Sequence, residues 1–227
     1  MDSWYTVAGD SLRWLYDRRI HTPATLDAAH YFPGASDFAV RWRELRAEAF
    51  AVRLEQVPRF HEVMRQQTAI SANDGRDWRT FVVKAYGTEV PQNIAHCPVL
   101  AALLAKHPDV LSATFSYLAP GKHIPLHRGP FRGILRLHLG LSMPLADDGR
   151  PGAVLWIDGK PHRLGDGETL LWDDTFPHEV LNATAQMRIA LLLDVRRPFM
   201  PADMALLSCL VVKTMGSIAR IHPQAFG

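Results

Sequence analysis

Two histidines stand at the ends of strand-like stretches, His127 in PGKHIPLHRGP and His178 in DDTFPHEV. Two further stretches, GILRLHLGLS and MRIALLLDV, alternate cleanly. Strand side chains alternate faces, so Leu135, Leu137, Leu139 and Leu141 point one way while Arg136, His138, Gly140 and Ser142 point the other. Met187, Ile189, Leu191 and Leu193 likewise share a face, and Arg188 opens the opposite one. Two arginines and a histidine therefore look to a common side of a β structure, where a core would be apolar. A guanidinium buried there needs an anionic partner, so the chemistry open to these residues begins with anion binding, near in sequence to a pair of imidazoles.

The elements that must position them form a β region. After Pro108 the pattern has period two, with strands predicted over 112–118, 133–142, 153–158, 161–164, 168–172, 178–182 and 187–195. Turn residues at Ala119-Pro120-Gly121, Asp147-Asp148-Gly149, Asp158-Gly159 and Gly165-Asp166-Gly167 separate most of them. Many short antiparallel strands of this kind indicate a sandwich or jelly roll, in an α+β chain that is mainly β. Ahead of them, Phe38, Trp42, Leu45, Ala49 and Val52 recur at helical spacing and predict one helix, capped at Ser36 or Asp37 and ending before Pro58. Residues 59–75 are polar with an Asn73-Asp74-Gly75 turn signal, followed by a strand over 78–85 and a short helix opened by Cys97-Pro98. A short helix over 10–19 is all that the first 35 residues suggest.

The tail, capped at Asp203, reads MALLSCLVVKTMGSIARI and is apolar nearly all round a helix. That pattern means packing, against the domain or a second subunit. The sharper reading docks 201–220 on a membrane surface, with Arg197, Lys213 and Arg220 near the headgroups. The packing reading is favoured, because surface-bound helices carry more basic residues.

A chain of 227 residues, 48% hydrophobic and 21% charged, can bury the core of one domain: a helical support region with a strand over 1–110, a β core over 111–198 and the apolar helix over 199–227. A net charge of +2 without a Lys/Arg run argues against a nucleic-acid partner. Cys97 and Cys209 support neither a disulfide framework nor a zinc cluster and fit a reducing cytoplasm. No signal-peptide pattern and no uninterrupted apolar stretch of about 20 residues is present, so a cytoplasmic protein, soluble or peripheral, is expected.

In order along the chain, His127-Arg128-Gly129-Pro130, LRLHLGL, DDTFPHEV and RIALLLDVRRP resemble the aspartyl/asparaginyl β-hydroxylase family of iron(II)- and 2-oxoglutarate-dependent oxygenases. The resemblance covers roughly residues 75–198, and four ordered blocks are more specific than any one. It implies a double-stranded β-helix with the N-terminal helices on one outer face. It implies iron held by His127 and His178, with Gly129 where most relatives of this fold place a carboxylate and water in the missing position. Arg188, assisted by Ser116, would then pair with the distal carboxylate of 2-oxoglutarate, and Arg136 and His138 would hold the carboxylate beside the keto group. Asp174 would orient His178 or a water at the metal, and O2 would be the oxidant. His162 is read as solvent-exposed.

Arg128 and Arg132 flank the first histidine, and either recognise a substrate carboxylate or phosphate or carry ordinary solvated charge. The resemblance places aspartyl- or asparaginyl-type substrates first, in a peptide, free or carrier-bound. An acyl chain of a membrane lipid is the alternative, because of the apolar tail. A non-catalytic anion-binding β-helix protein is a third reading, disfavoured because both histidines keep their motif positions.

Overall fold

Leu135, Leu137, Leu139 and Leu141 are completely buried, and that stripe decides how the layers stack. The computed structural model describes residues 3–221, so the end of the tail, 222–227, lies outside the described residues. The first half holds α1 (Ser3–Asp17), β1 (Thr25–Leu26), α2 (Ala28–Tyr31), α3 (Ala35–Val40), α4 (Trp42–Ala51), α5 (Phe60–Val63), α6 (Thr68–Ser71), β2 (Trp78–Ala85), β3 (Thr88–Glu89), α7 (Pro91–Ile94) and α8 (Pro98–Lys106). Then come β4 (Val110–Leu118), β5 (His123–His127), β6 (Ile134–Ser142), β7 (Ala153–Ile157), β8 (Lys160–His162), β9 (Thr169–Trp172), β10 (His178–Asn182), β11 (Arg188–Arg196) and α9 (Ala202–Ile221).

The strands form a seven-stranded sheet, β1-β9-β6-β11-β4-β2-β3, and a four-stranded one, β5-β10-β7-β8, packed as a jelly roll. On the outer face of the larger sheet the leucine stripe of β6, with Leu191 and Leu193 of β11, meets Phe38, Leu45, Ala49, Leu100 and Leu104 from α3, α4 and α8. Between the sheets, Trp78, Leu118 and Trp172 meet Ile124, Leu155, Ile157 and Val180. The alternation that sends the leucines to the helices sends Arg136, His138 and Arg188 inward.

Several predicted elements take a different form. The single helix expected after Ser36 is two, α3 and α4, because Arg41 leaves helical geometry at φ −95°, ψ 16°. That break lets Trp42 lie against Gly167, whose added Cβ would come within 2.8 Å of the indole. The polar 59–75 stretch contains α5 and α6, held where Phe60 stacks on Trp78 at 3.7 Å. The N-terminal helix is longer than expected and starts at Ser3. Asp203 lies inside the first turn of α9, paired with Arg19 at 3.1 Å. By length and composition α9 is apolar enough to cross a membrane, although Ser208, Lys213, Thr214 and Ser217 interrupt its apolar run. One face of it is packed: Met204, Ser208, Val212 and Ala219 are buried, while Leu206, Leu210 and Ile218 are exposed.

Candidate active site

His127 and His178 sit directly opposite each other on the antiparallel pair β5–β10. Their ring centroids are 4.0 Å apart. Each Nδ1 rests on the carbonyl two residues back in its own strand or turn, Pro125 O at 2.8 Å and Phe176 O at 2.9 Å. A carbonyl only accepts, so each Nδ1 carries the proton and donates it, leaving the Nε2 lone pair free. Burial lowers both pKa values; for His178 the drop is large, and the neighbouring His127 and Arg136 add to it. Both rings are therefore neutral near pH 7, the form that binds a metal. Among the described residues no group of three or more His, Cys, Asp or Glu side chains is arranged to hold a metal.

Gly129 follows His127 by two, and its N–H donates to Asp174 O at 2.7 Å. A Cβ on Gly129 would stand 2.3 Å from Asp174 Oδ1, so the aspartate carboxylate lies where a side chain at 129 would go. Burial, reinforced by Asp194 and Asp173, pushes the Asp174 carboxyl up to about 6 against the pull of Arg136. Arg136, expected to hold a co-substrate carboxylate, is itself held by two aspartates, Asp174 at 3.2 Å and Asp194 at 2.8 Å. The register is the reason, since β6 places Arg136 opposite Asp194 of β11. Asp194 escaped the sequence reading, although alternation from Arg188 already puts it on the inward face.

Arg188 is in a different situation. It is 4% exposed, and among the described residues its guanidinium has no carboxylate partner; one nitrogen, Nη2, meets Nε2 of His138. Burial lowers Arg188 to about 10, and burial with the charges of Arg188 and Arg136 drives His138 well below its ordinary value. A neutral His138 that accepts at Nε2 carries its proton on Nδ1. That Nδ1, Arg188 Nε, Trp172 Nε1, His162 Nε2 and Thr80 Oγ1 are all buried without a hydrogen-bond partner. Ser116 is cross-strand from Thr80 and from Ala190, two residues along from Arg188. A buried cation beside the unpartnered Nδ1–H of His138 suits an anion with several acceptor oxygens, which is what a dicarboxylate co-substrate offers. His162, expected in solvent, is half-buried and lines a small cavity with His138 and Arg188.

Arg132 is not at a substrate mouth. It is 5% exposed, and its Nε, Nη1 and Nη2 donate to Asp173, Asp17 and the carbonyl of Thr22. The sequence could not show this, because Asp17 arrives from α1, far away in the chain. Arg128 is exposed, with Nε donating to Thr175 O at 2.6 Å.

The histidine pair, Gly129, Arg136, Asp174 and Asp194 line one cavity of about 180 Å³. Its other walls include Phe60, Val63, Met64, Val82, Phe131 and Ile134. Lys84 also lines it, a residue that strand alternation alone did not single out. A larger groove of about 720 Å³, lined by Glu48, Val52, Phe81 and His96, contains none of the site residues.

Residues 39–198 match the family model of aspartyl/asparaginyl beta-hydroxylase. Over 182 residues the chain is 36% identical to the ornithine lipid ester-linked acyl 2-hydroxylase of Rhizobium tropici, covering 79% of this chain and 63% of that protein. It is 28% identical over 127 residues to the aspartyl/asparaginyl beta-hydroxylase of Homo sapiens, covering 54% of this chain and 16% of that protein. The chain thus spans less than two thirds of either relative. Among solved structures, a predicted oxalate decarboxylase from Thermotoga maritima aligns with a TM-score of 0.31 and 18% identity over 40% of this chain and 71% of that one.

Proposed function

The chain belongs to the aspartyl/asparaginyl β-hydroxylase family, and we propose that it is an iron(II)- and 2-oxoglutarate-dependent hydroxylase acting on an acyl chain of a membrane lipid. The observation that carries this reading is the make-up of the cavity, where two neutral imidazoles share walls with Phe60, Val63, Met64, Val82, Phe131 and Ile134. Such walls lose water favourably against an acyl chain. The relative at 36% identity, named for hydroxylating an ester-linked acyl group of ornithine lipid, supports the same substrate class. Aspartyl hydroxylation, which sequence alone places first, is the second reading, supported by the 28% identity to the human relative.

Iron, 2-oxoglutarate and O2, when bound, supply the oxidation of an unactivated C–H bond to C–OH. The chain supplies the placement. His127 and His178 hold the metal as neutral ligands. Arg188 and the Nδ1–H of His138 bind a co-substrate carboxylate, with the hydroxyls of Ser116 and Thr80 alongside. In the Asp174–Arg136–Asp194 row one guanidinium serves two carboxylates and fixes the Asp174 carboxylate beside Gly129, from where it orients groups at the metal. Phe60, stacked on Trp78, narrows the cavity and limits water.

The same reading sets α1 and α9 on the membrane surface. Trp14, Leu206, Leu210 and Ile218 are exposed, and so are Arg18, Lys213 and Arg220. Both helices reach the cavity: Arg13 of α1 donates to Gly129 O at 2.9 Å, and Met204 and Val212 of α9 cluster with Phe131 and Ile134.

Succinate formation by anaerobically purified protein given iron(II), 2-oxoglutarate and air tests the proposal. Turnover stimulated by lipid vesicles and lost in His127→Ala and His178→Ala is expected. Stimulation by an aspartyl peptide instead would establish the second reading. Tight 2-oxoglutarate binding without turnover on either would leave an anion-binding protein.

A further inference from the structure

Two cations line the cavity of the histidine pair, and they are differently placed. Arg136 is paired twice, with Asp174 and Asp194. Lys84, on β2, is 8% exposed and makes no hydrogen bond or ion pair among the described residues. Its cross-strand neighbour on β3 is Glu89, which is exposed and lies beyond ion-pair distance. Burial lowers the lysine's pKa, and Glu89 only partly offsets this. A lysine stem packed along a wall normally sends its ammonium out to bulk water. This one belongs to a residue lining the reaction cavity, where Arg136 already pairs with both carboxylates.

We propose that Lys84 is a substrate-anchoring residue that selects a carboxylate on the molecule to be hydroxylated. The inference rests on the hydroxylase reading for its setting, and it names the polar end of a substrate whose apolar end meets Phe60, Met64 and Phe131. An ammonium offers three donors without the fixed fork of a guanidinium, so it tolerates a carboxylate approaching from a range of directions. That suits a group on a flexible headgroup. The carboxylate has two sources: the amino-acid headgroup of an acylated lipid, or an aspartyl side chain. The position is also close to the membrane-facing helix, since Ala85, next in the chain, packs in one cluster with Ala219 of α9. A carboxylate held at Lys84 would therefore sit toward the lipid side of the cavity, with the acyl group free to reach the histidines.

Binding to the whole chain, measured by calorimetry under anaerobic conditions with iron(II) and 2-oxoglutarate present, separates the possibilities. With the co-substrate bound, Arg188 and His138 are engaged and cannot report on a second carboxylate. The probes are N-lauroylglycine and its uncharged methyl ester for the lipid source, and N-acetylaspartate amide and N-acetylasparagine amide for the aspartyl source. For one of the two pairs, wild type is expected to favour the acid by roughly 10–100-fold, the range of a charge-assisted hydrogen bond. Lys84→Met should erase that preference, Lys84→Arg should keep most of it, and 2-oxoglutarate affinity should be the same in all three proteins. Preference for the aspartyl acid alone, lost in Lys84→Met, would uphold Lys84 while overturning the lipid reading. Binding of lauroylglycine and its ester equally in wild type, with no aspartyl preference, would overturn Lys84 and leave the lipid reading intact. A preference that survives in Lys84→Met would also overturn the proposal.

Discussion

Asp174 stands, through space, in the position that residue 129 would fill through the chain: its Oδ1 and Oδ2 lie 2.3 and 2.6 Å from where a Cβ of Gly129 would be. The glycine in the first histidine motif and the aspartate before the second histidine are two halves of one packing arrangement.

Gly129→Ala should therefore destabilise the protein by about 1–3 kcal/mol, because the displaced carboxylate is buried and must give up Arg136. In an Asp174→Gly background the same substitution should cost much less. Urea unfolding of the two single variants and the double variant measures the coupling. Simple additivity would mean that the two residues do not compete for space.

Asp174 also gives a pH signature in metal-free protein. Its folded-state pKa of about 6 lies above the unfolded value near 3.9. Protonation therefore stabilises the fold fully below about pH 3.9, and the benefit is lost as the pH rises through 6. Asp174→Asn should match wild type near pH 4 and become progressively more stable than wild type up to pH 7. Parallel stability curves over that range would contradict the assignment.

Arg188 should show opposite effects on stability and binding. A buried guanidinium without a carboxylate burdens the unliganded fold, so Arg188→Met should leave thermal stability unchanged or raise it by as much as about 4 kcal/mol. The same variant should lose about 2–5 kcal/mol of 2-oxoglutarate binding by calorimetry. A variant that merely unfolds would indicate a structural arginine.

Asp173 is the counter-case. It is fully buried between Arg132 and Arg197, so Asp173→Ala leaves Arg197 buried without a carboxylate while Arg132 keeps Asp17, and should cost about 3–5 kcal/mol. Arg132→Met keeps the Asp173–Arg197 pair and should be milder, with KM for substrate unchanged because no Arg132 nitrogen is free to meet it.

Leu206 and Leu210 are 65% and 55% exposed, so Leu206→Glu/Leu210→Glu should leave thermal unfolding unchanged. It should abolish co-flotation with vesicles if α9 rests on lipid. Undiminished flotation would move the docking surface elsewhere.

What was legible beforehand followed from local pattern. Leu135 to Leu141 displayed their alternation, and with it the inward placing of Arg136, His138 and Arg188. The blocks around His127 and His178 carried the histidine pair, although their register across β5 and β10 is not a property of either block. What stayed hidden depended on partners distant in the chain. Nothing near Arg132 announces Asp17, and nothing near Arg136 announces that Asp194 faces it across the sheet. The strand carrying His127 was not among the predicted ones, since Pro125, a residue that usually interrupts strands, falls inside it. The half-buried state of His162 depends on how the small sheet closes over Arg188.

The residues proposed to hold the metal and the co-substrate belong to different layers. His127 and His178 are on the four-stranded sheet, whereas Arg188, His138 and Ser116 are on the seven-stranded one. A co-substrate that touches both a metal on one layer and an arginine on the other acts as a rivet through the sandwich. Loading the site then changes the mechanics of the molecule: layers joined mainly by side-chain packing gain a polar cross-tie, and at ligand concentrations about 100-fold above Kd the assembly resists unfolding by roughly 2.7 kcal/mol more.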